Sequence, residues 1–133
     1  MIKKWHLSVA AIAALIALGG SAEAGEVLTA GPSYGGAGQL TNGAKVVCHL
    51  FNTGNGIATI SYRQIFNSSR GSITPVGNTC ISGLPAQKSC DYYAMAGAGT
   101  YTCRAVIADG YVTGTMEIYD ASDHLLVSVP MSK

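Results

Sequence analysis

Cys48, Cys80, Cys90 and Cys103 are the residues of this 133-residue chain best placed for covalent chemistry, and their even number points to two disulfides formed in an oxidising compartment. A metal site needs clustered ligands such as C-x-x-C with paired histidines. The cysteine spacings here are 32, 10 and 13, and His49 and His124 stand apart, so no metal and no cofactor are expected. Four cysteines allow three pairings. Cys80 and Cys90 flank Ser82-Gly83-Leu84-Pro85, a stretch able to turn the chain back, while Cys48 and Cys103 lie 55 residues apart within strand-like runs. The expected bridges are therefore Cys80 with Cys90 and Cys48 with Cys103.

The other constellations point away from catalysis. No nucleophile elbow, zinc-protease pair, P-loop or dinucleotide fingerprint occurs. Ser122, Asp123 and His124 are adjacent, but neighbours in a turn point in different directions, so they read as a polar turn rather than a triad. Glu117 is the only strand-centred acid, with Asp91 the nearest other candidate for a carboxylate pair. His49 should face away from Cys48, beside Val47 and Phe51, as a half-exposed residue or a proton-sensitive contact. The chain is not expected to be an enzyme.

A contact surface is easier to assemble. If Asp109-Gly110 closes a hairpin, Thr102, Arg104 and Val106 face outward on one strand, with Tyr111, Thr113, Thr115, Glu117 and Tyr119 on the other. Arg104 would then lie near Thr115 or Glu117, flanked by tyrosines, residue types favoured at recognition hot spots. Arg104, Tyr111, Glu117 and Tyr119 are accordingly the expected binding face, and Tyr92-Tyr93 a secondary one. Asn67-Ser68-Ser69 matches a glycosylation sequon but sits in a turn cluster.

The elements that must position these residues follow a removable leader. Residues 1–24 combine Lys3-Lys4, an apolar run from Leu7 to Leu18 and Ala22-Glu23-Ala24, the pattern of a secretory signal peptide. That run is shorter than the roughly 20 residues a membrane helix needs. Its removal leaves six basic and six acidic side chains, without a field to attract nucleic acid or anionic lipid. The exported product, periplasmic or secreted, keeps no membrane span.

Residues 25–42, rich in glycine, read as an arm or loop with at most a short strand at Glu26 to Thr29, and residues 43–133 as the domain. Seven strands are expected, over 44–51, 57–66, 72–76, 90–95, 100–108, 111–119 and 125–131, separated by turn clusters. Period-2 alternation places five sets in the core: Val46, Cys48 and Leu50; Ile60 and Tyr62; Tyr101, Cys103, Ala105 and Ile107; Val112, Met116 and Ile118; Leu125, Val127 and Val129. The pattern predicts an all-β antiparallel sandwich or barrel.

Gly99-Thr100-Tyr101-Thr102-Cys103 resembles the sixth-strand motif of immunoglobulin-like domains, in which a Tyr two positions before the second cysteine hydrogen-bonds across a corner. The resemblance implies an immunoglobulin-like sandwich, with Tyr101 as the structural corner and Cys48 and Cys103 as the bridge. It lacks the bridge-packing Trp, for which Tyr62 is the nearest stand-in. The chain otherwise resembles small exported bacterial proteins.

An exported binding or structural module without catalysis is the expected function, its ligand a protein or a glycan. Two other readings are a small secreted inhibitor or effector, acting through Gly31 to Gly38 or the Cys80–Cys90 loop, and a fibre subunit assembled by strand exchange.

Overall fold

The computed structural model describes residues 25–33, 43–81 and 83–133. The leader expected over 1–24 and most of the arm expected over 25–42 lie outside them. Ten strands follow one another: β1 (Glu26–Ser33), β2 (Lys45–Asn52), β3 (Ala58–Asn67), β4 (Gly71–Ile73), β5 (Gly77–Asn78), β6 (Gly83–Leu84), β7 (Ser89–Met95), β8 (Tyr101–Asp109), β9 (Val112–Tyr119) and β10 (Leu125–Pro130). A strand overlaps each of the seven expected stretches, the 72–76 one only at Ser72 and Ile73, and β1, β5 and β6 raise the number among the described residues to ten.

Two antiparallel sheets pack face to face, the first ordered β1-β8-β3-β4 with β6 also on β3, the second β10-β9-β2-β7-β5. Alternation explains the stacking. Cys48 and Leu50 of β2, Cys103 and Ala105 of β8, and Met116 and Ile118 of β9 are all fully buried between the layers. The bridges join Cys48 to Cys103 across the sheets and Cys80 to Cys90 beside them.

Where the structure departs from the expected pattern, the causes are local. β1 runs four residues past Thr29 to Ser33, because Leu28 and Ala30 supply a buried inward pair opposite Ala105 and Cys103. This strand is part of the first sheet, not an arm, and backbone hydrogen bonds between Thr29 and Ser132 tie its outer edge to the chain's end. On β3 the register shifts between Ile60 and Tyr62, an irregularity that reverses which parity faces inward. Ile60 and Ile65 are therefore buried while Tyr62 points out at 47% exposure. A second shift, between Leu125 and Val127, leaves Leu125 exposed and Val127 and Val129 only partly buried against the core.

The larger correction concerns Asp109-Gly110. It does not close a hairpin: β8 pairs with β1 and β3, β9 with β2 and β10, so the turn carries the chain from one sheet to the other. The inward sets of β8 and β9 face each other across the core, which side-by-side pairing would forbid. Gly110 has φ +97°, and a Cβ there would lie 2.7 Å from the Ala58 Cα, so the crossing is restricted to glycine.

Tyr92, not Tyr62, packs at the inter-sheet bridge. It is the direct cross-strand partner of Cys48, is fully buried, and its hydroxyl donates to the Arg104 carbonyl of the opposite sheet at 2.7 Å. Burial raises its phenol far above the ordinary value.

Candidate functional site

The crossing at Asp109-Gly110 divides the contact face expected from sequence. Arg104 stands on the outer face of the first sheet, between Thr29 and Gln64, and Tyr111 projects from the end of the sandwich at 74% exposure. Glu117 and Tyr119 lie on the outer face of the second sheet, beside Val47 and Lys45 respectively. Arg104 therefore meets neither of them.

What the second sheet does bring together is a groove of about 700 Å³ over β7, β2 and β9. Lys45, Val47 and His49 alternate along β2 to form its floor, Asp91, Tyr93 and Met95 rise on one side, and Tyr119, Ala121 and Asp123 on the other. Because β2 is paired along both edges, these side chains are fixed by register: His49 faces Asp91 and Thr115, and Lys45 faces Met95 and Tyr119.

The polar groups form two clusters. His49 Nε2 lies 3.0 Å from Glu117 Oε2, and the same carboxylate oxygen accepts a hydrogen bond from the Tyr119 hydroxyl. That bond, with partial burial and the charges of Glu117 and Asp123, pushes the Tyr119 phenol up to about 12. Lys45 Nζ is 2.7 Å from the Asp123 carboxylate and 5.7 Å from the centre of the Tyr119 ring, so one ammonium contacts both an anion and an aromatic face. Asp91 accepts from the Thr79 hydroxyl at 3.3 Å.

His49 and Glu117, weighed separately in the sequence, are thus one unit, and Asp91 reaches the same groove. The arrangement can donate and accept hydrogen bonds and present aromatic surface. Among the described residues no group of three or more His, Cys, Asp or Glu is arranged to hold a metal, and no helix is long and apolar enough to cross a membrane.

The remaining singled-out residues have structural partners. The Ser122-Asp123-His124 turn is organised by Asp120, whose carboxylate accepts from the amides of His124 at 2.9 Å and Ser122 at 2.8 Å. The His124 amide first, then that of Ser122, holds this acid below the usual carboxylate range. The Tyr101 hydroxyl donates to the Gly97 carbonyl at 3.0 Å and accepts from the Gly97 amide at 2.6 Å. Asn67 of the sequon is buried; its side chain donates to the Ala98 carbonyl and accepts from the Ser69 and Arg70 amides.

Of the expected secondary pair Tyr92-Tyr93, Tyr93 lines this groove while Tyr92 is buried in the core, and Asp123, read as part of a polar turn, also reaches the groove. Lys45 and Met95 were not legible as site residues, since their only sequence signal is outward parity on strands whose order was unknown. The buried Asn52, which donates to the Gly56 and Leu84 carbonyls, was likewise hidden in an Asn-rich turn cluster. No family, curated protein or solved structure matches this chain.

Proposed function

We propose that this protein is an exported, non-catalytic binding module whose contact surface is the outer face of the second sheet. The observation that carries this reading is the groove over β7, β2 and β9, where two tyrosine rings and two polar clusters converge on strands held at both edges. Rigid placement of aromatic and hydrogen-bonding groups is what a recognition site needs, because little ordering entropy is then lost on binding. The two disulfides accord with an oxidising destination. The absence of catalysis is argued from Glu117, whose Oε2 already serves His49 and Tyr119 and is poorly disposed to act on a substrate.

We also infer an immunoglobulin-like centre made of β2, β3, β7 and β8. Its support is the bridge between β2 and β8 and the Tyr101 hydroxyl closed onto Gly97. In the immunoglobulin arrangement the strand after the corner strand stays beside it. Here β9 crosses to lie beside β2 and β1 takes the place next to β8, so the outer strands are exchanged around that centre. The tie between Thr29 and Ser132 favours the binding reading over strand exchange, since it occupies one sheet edge.

The test compares wild type, Tyr119→Ser in the groove and Tyr62→Ser on the opposite face for retention of components of the native envelope. Loss confined to Tyr119→Ser is expected. Equal retention by all three proteins would reject the groove as the contact surface.

A further inference from the structure

We propose that the groove on the second sheet takes a neutral oligosaccharide, laid along β2 between Tyr93 and Tyr119; this rests on the reading of that face as the binding surface. Three features of the groove select this chemistry, and each excludes a different alternative.

The first is its width. Tyr93 and Tyr119 stand on the strands flanking β2, two inter-strand steps apart, or about 10 Å between backbones. Once the side chains are counted, that gap is too narrow for an α-helix, whose diameter is about 10–12 Å. It is wide enough for a chain one sugar ring across.

The second is the state of the backbone. β2 is hydrogen-bonded to β7 on one side and β9 on the other over its whole length, so an extended peptide cannot join the sheet there. An occupant must be held by side chains alone. A hydroxyl-rich chain, each of whose groups both donates and accepts, suits a lining of Lys45, His49, Asp91 and two phenols.

The third is charge. Lys45 is paired with Asp123 and His49 with Glu117, so Asp91 is the one lining charge without an ionic partner among the described residues. A phosphate or an acidic sugar would meet that carboxylate with nothing to compensate it.

The aromatic walls are also built to hold position. The Tyr93 ring lies against Gly77 so closely that a Cβ at Gly77 would sit 2.1 Å from the ring's Cε1. No other residue at position 77 leaves the wall in place. Tyr119 is fixed at both ends, by Glu117 at its hydroxyl and by the Lys45 ammonium over its ring. Neither contact is required by the core, which lies on the far side of the sheet.

Titration of the oxidised full-length chain with maltotriose, cellotriose and tri-N-acetylchitotriose, followed by NMR of the Met95 methyl and the Tyr93 and Tyr119 rings, tests the proposal. At least one sugar is expected to give saturable shifts at millimolar concentration, confined to these groups. Gly77→Ala should weaken that binding by about tenfold, and Tyr119→Phe, which leaves the core untouched, should weaken it too. If Gly77→Ala does not fold, the Tyr119→Phe titration alone decides. Absence of groove shifts with all three sugars, or shifts elsewhere on the molecule, would overturn the glycan assignment. The envelope comparison of Tyr119→Ser with Tyr62→Ser would still judge the binding face independently.

Discussion

Replacing Cys48 and Cys103 together by alanine should destabilise the domain more than replacing Cys80 and Cys90 together. The long bridge closes 55 residues and the short one 10. In the chain-entropy account these loops correspond to about 4 and about 2.7 kcal/mol of restricted unfolded-state freedom. The packing difference has the same sign. Cys48 and Cys103 are both wholly buried, with Cys48 opposite Tyr92 and Met116, so alanine at both opens a void, whereas in the short bridge Cys80 is wholly buried and Cys90 slightly less so. A domain of this size has roughly 5–15 kcal/mol in total, so the first variant should remain folded but marginal. Equilibrium urea unfolding followed by far-UV circular dichroism measures the effect. With m about 1–3 kcal/mol/M, the midpoint should fall by roughly 1 to 4 M for the long bridge and by less for the short one. A larger fall for the short bridge, or equal falls, would refute the assignment of the Cys48–Cys103 bridge as the main tie between the layers.

Two further outcomes follow from the side-chain contacts. Tyr119 is protonated up to about 12 in the folded protein, against an ordinary value of 10.0, chiefly through its hydrogen bond to Glu117, so its contribution to stability is complete below about pH 10 and is lost as pH rises through about 12. Glu117→Gln should bring one phenol back toward 10 in an ultraviolet titration; an unchanged titration curve would show that Glu117 does not hold Tyr119. Arg104→Ala and Glu117→Ala should have additive effects on urea unfolding, within about 0.3–0.5 kcal/mol, because they occupy opposite faces. Coupling well above that range in the double-mutant cycle would restore the hairpin pairing of β8 with β9.

Parity is written in a strand's own residues, and it was readable wherever the strand is regular. Val46, Cys48 and Leu50, or Tyr101, Cys103, Ala105 and Ile107, alternate without interruption and are buried as the alternation requires. At the β3 irregularity the register shifts on both sides of Ile60 and the faces reverse, and nothing in Ile60-Ser61-Tyr62 announces it. The expected inward Tyr62 failed there, and Tyr92, placed by its register with Cys48, does the packing instead.

Neighbourhood is a different kind of information, because the order of strands in a sheet is a property of the whole chain. Asp-Gly favours a tight turn whether the next strand pairs with the last one or crosses above it, so local turn chemistry left both arrangements open. What decides between them lies outside the turn: β8 is flanked by β1 and β3, and β9 by β2 and β10, so neither strand has an edge left for the other. The groove residues show the same dependence: Lys45, Tyr93, Tyr119 and Asp123 come from four separate stretches and meet only because β2 lies between β7 and β9. A site assembled by strand order across a sheet face leaves no linear motif, and its residues can be found from sequence only after the order of the strands is known.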